Sequence, residues 1–207
     1  MELQRLFRLC FSVGVVLGLS GCASYCPRRT GLKRMTVHAF EDDNTEYVSF
    51  AHRVFSRHDC KKYLDRNVIA RGYQPVHITV SNHSNRYLYF STSHFSFPCA
   101  DVECVAHSVH TSTAGRAVGY GVAGLFIWPF LIPAIVDGVG SAEANQALDA
   151  DFERKSVEDQ EMRPFSVLNG LFFVPVEYFT PKFSLFLVDV KTREKFKLDT
   201  CRPALKI

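Results

Sequence analysis

The chain has 207 residues, of which 47% are hydrophobic and 22% are charged. This composition is typical of a globular protein and excludes a disordered or low-complexity chain. The formal charge of +3 is too small to indicate a protein that binds nucleic acid through a basic face.

The N-terminus has the pattern of a secretory leader. Two arginines precede an uncharged apolar run over residues 9–19, which is too short to cross a hydrocarbon core of about 30 Å. The run ends in Leu19-Ser20-Gly21-Cys22, which looks like a bacterial lipobox, in which small residues precede a cysteine that is acylated before cleavage. A plain signal peptide with an incidental cysteine is the alternative. We expect residues 1–21 to be the signal peptide and Cys22 to carry the lipid.

Acyl chains on Cys22 would tether the protein to a bacterial membrane outside the cytoplasm, because two or more buried chains hold a protein stably. Ala23 stands where Asp would direct retention in the inner membrane of enterobacteria, so we expect the outer membrane rather than the inner one. Residues 22–34 form the tether, interpreted as a solvated linker, with contact to lipid headgroups as the alternative. Its cations are Arg28, Arg29, Lys33 and Arg34.

The first part of the mature chain carries strand and helix signals. Short β-prone stretches at 36–40 and 47–55 flank a polar turn and predict a hairpin. Ser56 with Asp59 three residues later predicts a capped helix, which Gly72 would end.

Two further groups of strand signals follow. Alternation over 76–80, a polar turn and an apolar stretch at 87–90 predict a strand pair. Near the C-terminus, strand-like stretches at 171–176, 183–190 and 195–198 predict a closing meander.

These signals predict a mainly β, α+β fold: an antiparallel immunoglobulin-like β-sandwich with a helix on its N-terminal side and a Gly/Pro-rich apolar helical insert. We expect a single domain over residues 35–199, with the insert at 111–160 and a C-terminal tail at 200–207.

The insert contains the uncharged run 117–136, which is long enough to cross a membrane. A crossing would separate the strands before it from those after it, so burial against the domain or a protein partner is favoured. Dipping into the membrane and a true span are the alternatives. Pro129 and Pro133 predict two short helices. The candidate contacts with membrane or partner are Tyr120, Phe126, Trp128 and Phe130.

Another helix is predicted to begin at Ser141 and to be ended by Pro164. Asp149 and Asp151 are interpreted as acids on its solvated face rather than as metal ligands.

Cysteine and histidine cluster between residues 98 and 110. Cys99 lies in a loop with Cys104, and His107 and His110 follow within a few residues. A disulfide between Cys99 and Cys104, two free thiols, and a metal site are the alternatives, because an extracytoplasmic location favours disulfides whereas thiolate and imidazole also bind zinc. The candidate metal ligands are weak ones: Cys104, His107 and His110.

Motifs of catalysis are scarce. Residues 119–124 match G-x-G-x-x-G, but no apolar strand precedes them and Pro129 interrupts the helix that should follow, so no nucleotide site is predicted. The sequence lacks G-x-S-x-G, H-E-x-x-H and Walker motifs. We therefore predict no enzyme and no cofactor apart from the lipid on Cys22.

Three stretches resemble an uncharacterised lipoprotein family of chlamydia-like intracellular bacteria: GYQPVHITVSN at 72–82, FIWPFLIP at 126–133 and LFFVP at 171–175. The resemblance covers most of the mature chain. It implies an envelope location and a sandwich with an apolar insert, and it implies no activity and no catalytic residue.

The expected function is that of a membrane-anchored envelope lipoprotein acting as a structural or protein-binding module. Its partners would be the membrane, through the anchor, and an envelope protein, with no nucleic acid or nucleotide. A lipid-binding or lipid-transfer module that uses the insert is one alternative. A metal or redox protein built around residues 99–110 is the other.

Overall fold

The computed structural model of the chain describes Tyr25 and residues 31–35, 48–110 and 131–200, and gives only the backbone of residues 131–141. The chain divides into two compact units. The first comprises Met1–Cys26 and His110–Leu148, and the second comprises Pro27–Val109 and Asp149–Ile207. The strands within the described ranges all belong to the second unit.

Seven strands in the described part of the chain form two antiparallel sheets. Sheet A has the order β1-β2-β5 and sheet B the order β4-β3-β6-β7. The strands are β1 (Val48–Val54), β2 (Tyr73–Asn82), β3 (Leu88–Phe90), β4 (Gln160–Met162), β5 (Val167–Pro175), β6 (Ser184–Asp189) and β7 (Lys195–Asp199). The expectation of a mainly antiparallel β, α+β fold is confirmed.

Three α-helices accompany the strands in the described part of the chain: α1 (Arg57–Leu64), α2 (Val102–Ser108) and α3 (Leu131–Lys155). Two short 3₁₀ helices span Val68–Arg71 and Thr92–His94. No helix within the described ranges combines the length and apolar character that a membrane crossing requires.

The main core lies between the two sheets. Sheet A contributes alternate residues of β2, such as Val76 and Ile78, and sheet B contributes residues such as Phe90, Leu185 and Leu187. A cluster of phenylalanine rings packs between the sheets. The ring centroids of Phe95 and Phe172 are 4.2 Å apart, and those of Phe97 and Phe183 are 5.1 Å apart. Burial of these large apolar side chains is the main stabilising contribution.

The opposite face of sheet A is covered by helical segments of the same unit. Phe152, near the end of α3, stacks on Phe173 of β5. Helix α2 contacts β5, and the Val68–Arg71 helix contacts β2. Sheet A therefore lies between sheet B and a helical layer.

Helix α1 confirms the capping prediction but is shorter than expected. The Ser56 hydroxyl accepts from the Asp59 amide, and the Asp59 carboxylate accepts from the Ser56 amide. The helix ends at Asp65, which has a left-handed φ of 53°, and Gly72 ends the 3₁₀ helix that follows. Asp and Asn tolerate the left-handed conformation locally, so the segment before Gly72 breaks into two pieces.

Three other expectations about elements were wrong. Cys104 lies in α2 rather than in a loop, because Asp101 caps a helix there by accepting from the Glu103 amide. The helix expected to begin at Ser141 is α3, whose backbone is already helical at Leu131. It ends at Lys155 rather than at Pro164, because the next residues pair with β5, where the Val157 amide donates to the Leu171 carbonyl.

The predicted closing meander is also wrong, because β5 pairs with β2 in sheet A while β6 and β7 form a hairpin in sheet B. Strand β1 likewise pairs with β2. The stretch 36–40, its predicted hairpin partner, lies outside the described residues.

Asp151 is not on a solvated helix face as expected. It is 1% exposed. Its carboxylate pairs with Lys155, 2.6 Å away, and with Arg154. Lys155 is itself buried and donates to the Tyr63 carbonyl at 2.5 Å. Because a buried charge is stable only when it is paired and hydrogen-bonded, this ion pair joins α3 to α1.

Candidate functional site

The two cysteines considered as a possible disulfide, Cys99 and Cys104, have different environments. Cys99 packs against the core between the sheets, whereas Cys104 is exposed on α2. Both are free thiols in the structure. Of the three alternatives left open by the sequence, the structure therefore has the two free thiols.

The chemistry of the buried thiols follows from their surroundings. Burial, together with the nearby carboxylate of Asp159, raises the pKa of the Cys99 thiol to about 12. Burial likewise raises the pKa of Cys60 to about 11. Since the thiolate is the form that attacks disulfides and binds metal ions, Cys99 and Cys60 are poorly suited to redox or metal chemistry at neutral pH.

A groove of about 320 Å³ lies beside α2. His107 Nε2 is 3.9 Å from a carboxylate oxygen of Glu103, one turn earlier, and 4.0 Å from a carboxylate oxygen of Asp149 on α3. The groove is lined by Asp101, Val102, Glu103, Ala106, His107, Asp149 and Glu153. An imidazole nitrogen and carboxylate oxygens are ligand types that zinc accepts, and His107 and Asp149 each offer one ligand atom.

The same distances also suit ordinary ion pairs to a protonated imidazole. The side chains of Glu103 and His107 are both more than half exposed, so water solvates both of them without a metal ion. Of the three candidate metal ligands, His107 lines the groove, Cys104 does not, and His110 is assigned to the first unit. Asp149, which the sequence pattern places on a solvated helix face, also lines the groove, and no local pattern indicates that it lies near His107.

The residue types of a serine-hydrolase triad occur together at Ser91, His94 and Asp159. Their hydrogen bonds, however, do not link serine to histidine and histidine to the acid as in a triad. The Ser91 hydroxyl donates directly to Asp159 at 2.6 Å, and Thr92 donates to the same carboxylate from its amide at 2.7 Å. Burial raises the pKa of Asp159, but these hydrogen bonds outweigh burial and lower it overall. His94 Nδ1 is buried without a hydrogen-bond partner. A hydrolase needs the histidine between serine and acid, so this cluster caps the Thr92–His94 helix instead.

The end of the predicted tether is held on the outer face of sheet A. The Asn169 amide donates to the Leu32 carbonyl at 3.1 Å, and the Met35 amide donates to the Thr79 hydroxyl at 3.2 Å. Leu32 and Met35 are half-buried, whereas the two cations between them, Lys33 and Arg34, are exposed. This part of the tether is therefore bound to the sheet rather than a freely solvated linker.

The outer face of sheet B carries a row of apolar side chains. Tyr89 of β3 is 40% exposed and lies opposite Val188 of β6. Val188 and Phe186 are half-buried and alternate with the core residues of β6. The ring of His94 meets Tyr89 edge to face, with centroids 6.1 Å apart. We call Tyr89, Phe186 and Val188 the apolar row of sheet B.

Several predicted site residues lie outside the described part of the chain. They are the lipidation site Cys22 and the candidate membrane or partner contacts Tyr120, Phe126, Trp128 and Phe130.

No family model, no curated protein and no solved structure matches the chain.

Proposed function

We propose that this protein is a lipid-anchored lipoprotein of the bacterial envelope, whose β-rich unit acts as a structural or protein-binding module. The observation that carries the proposal is the secretory leader ending in Leu19-Ser20-Gly21-Cys22. The resemblance to a lipoprotein family of chlamydia-like bacteria agrees with it. Anchoring in the outer membrane is the preferred version of the proposal.

The bound end of the tether supports a defined placement of the β-rich unit. Nine residues separate Cys22 from Leu32, and even a fully extended chain of this length spans only about 35 Å. Because Leu32 is hydrogen-bonded to sheet A, an acylated Cys22 would keep the outer face of sheet A within that distance of the membrane.

The strand order supports an immunoglobulin-like sandwich. In constant-type immunoglobulin domains, strands A, B, E and D form one sheet and C, F and G form the other. In chain order, β1, β2 and β5 occupy the places of A, B and E, and β3, β6 and β7 those of C, F and G. Strand β4 takes the place of D but pairs with β3. In this proposal, α2 and α3 are insertions between the third and fourth strands.

The apolar row supports a role in protein binding. Aromatic side chains are enriched where proteins meet, and Tyr89 and Phe186 lie on the sheet opposite the one that holds the tether. The proposed partner is an envelope protein that covers this outer face of sheet B.

Site-specific photocrosslinking in intact cells tests this role. A photoreactive residue at Phe186 or Tyr89 should give a discrete adduct with an envelope protein. Matched probes at Phe165 and Tyr178, which are exposed aromatic residues outside the row, should not give that adduct. Equal adducts from all four positions, or none from Phe186 and Tyr89, would contradict the proposal.

The alternatives receive less support. The high pKa values of the Cys99 and Cys60 thiols disfavour a redox role. Residues 111–130 of the apolar insert, which include the candidate contacts on which a lipid-transfer function would depend, lie outside the described residues. We propose no catalytic activity.

A further inference from the structure

Helix α1 has a strongly basic solvent side. Asp59, Cys60 and Leu64 are its buried residues. The exposed side carries Arg57, His58, Lys61 and Lys62. Over residues 56–71 there are five Lys or Arg and two Asp, so this segment has a net positive charge.

Both acids of the segment are engaged with neighbouring cations. Asp59 pairs with Arg53 and caps the helix, and these contacts lower its pKa despite the opposing effect of its burial. Asp65 accepts from Lys61 at 2.7 Å and from Arg66 at 3.3 Å. The acids therefore reduce the positive charge of the surface without creating an acidic patch on it.

Helix α1 lies over the same face of sheet A as the bound tether. The ring of Phe55, just before α1, contacts both Tyr63 of the helix and His77 on the outer face of β2. The same face holds the segment 31–35 through Thr79 and Asn169. Two sets of exposed cations, one on α1 and one at Lys33 and Arg34, thus belong to one side of the unit.

We propose that Lys33, Arg34, Arg57, Lys61 and Lys62, which we call the basic face, bind anionic lipid headgroups of the membrane that holds the anchor. The inference rests on the proposed lipid anchor, which would restrict this face to the vicinity of a bilayer. Basic residues close to an anionic surface strengthen a lipid anchor, each by roughly fivefold in partitioning, and salt screens the effect.

Lysine footprinting of the purified full-length protein on vesicles tests the inference. The protein is reconstituted into phosphatidylcholine vesicles with or without phosphatidylglycerol, and the rate at which an amine-reactive label modifies each lysine is measured by mass spectrometry. Phosphatidylglycerol should slow labelling of Lys33, Lys61 and Lys62 by about fivefold, and high salt should reverse this. Labelling of Lys191, Lys195 and Lys197, which are exposed near the other sheet, should not change.

A pair of matched variants adds a second readout. Arg57→Gln with Lys61→Gln and Lys62→Gln should abolish the protection of Lys33. Lys191→Gln with Lys195→Gln and Lys197→Gln should leave it intact. Equal labelling in both vesicle types, or loss of protection only in the second variant, would overturn the inference.

The same samples separate the inference from the proposed function. The mass of the peptide that begins at Cys22 reports acylation. An acylated peptide without lysine protection would overturn the basic face alone, whereas an unmodified Cys22 would overturn the anchor on which the inference rests.

Discussion

Sheet A and sheet B differ in how many of their faces are buried. In sheet A, β2 is buried at every position from Pro75 to Asn82, because sheet B covers one face and helices and the tether cover the other. In sheet B, β6 alternates between buried and half-buried residues, since only one face meets the core. The comparison shows that one sheet serves mainly to hold the unit together, while the other has a face available for contacts.

The first prediction tests this difference between the sheets and has the largest expected effect on stability. Val174 of β5 is fully buried in the core, so Val174→Asp should unfold the unit, because an unpaired buried charge costs several kcal/mol against a total stability of about 5–15 kcal/mol. Phe186→Asp on the outer face of sheet B should remain folded. Thermal unfolding followed by circular dichroism compares them, and equal melting temperatures would show that the two faces do not differ.

A second prediction concerns the ion pair in the helical layer over sheet A. Asp151→Asn leaves the buried Lys155 without its carboxylate and should lower the free energy of unfolding by about 3–5 kcal/mol. Glu194→Gln removes the exposed pair with Arg86 near sheet B and should have a much smaller effect, because solvent screens an exposed ion pair. Urea denaturation measures both, and a cost for Asp151→Asn as small as that for Glu194→Gln would be inconsistent with a buried pair.

A third prediction tests whether sheet A restrains the tether through the hydrogen bond between Asn169 and Leu32. Asn169→Ala removes the donor to Leu32 and should expose the bonds after Lys33 and Arg34 to trypsin. Loss of about 1 kcal/mol of hydrogen bonding corresponds to cleavage roughly fivefold faster. Limited proteolysis with mass analysis gives the rate. Unchanged cleavage after these two residues would mean that the bond does not restrain the tether.

The prediction with the smallest expected effect on stability concerns Asp189, at the turn that follows β6. Hydrogen bonds from the Thr192 and Lys191 amides and the charge of Arg86 lower the pKa of Asp189, against the effect of burial. Because the unfolded chain then binds the proton more readily, the stability that this carboxylate contributes is complete above about pH 5 and is lost as the pH falls below about 3.9.

Asp189→Asn should therefore be less stable at neutral pH and should lose less stability on acidification. Urea denaturation at a series of pH values measures the slope. A variant that loses as much stability in acid as the parent would contradict the role assigned to this carboxylate.

Local features could be predicted from the sequence because they depend on neighbouring residues. The Ser56–Asp59 capping box is an example, whereas the helix was expected to continue to Gly72 and instead ends at Asp65. The sheet that a strand joins depends on distant partners, and the apolar pattern does not reveal it. Residues 171–174 and 185–188 are both continuous apolar runs, yet only the first lies in a sheet with both faces covered, while β6 alternates between buried and half-buried residues.

The candidate site was harder to predict, since Asp149 and His107 come from distant parts of the chain. Helical geometry could have corrected one error. Residues two apart on a helix point in nearly opposite directions, so Asp149 and Asp151 could not both lie on one solvated face. The apolar row required knowledge of which strands are neighbours, which no local pattern supplies.

The lipid on Cys22 is the central claim, because the placement of both sheets relative to a membrane depends on it. Metabolic labelling with palmitate in the native bacterium, comparing the natural chain with Cys22→Ala, tests it most directly. We predict a labelled mature protein in the membrane fraction for the natural chain and an unlabelled, unprocessed precursor for the variant. Equal labelling of both chains, or an unlabelled natural protein that keeps its full leader in the cytosol, would contradict the account.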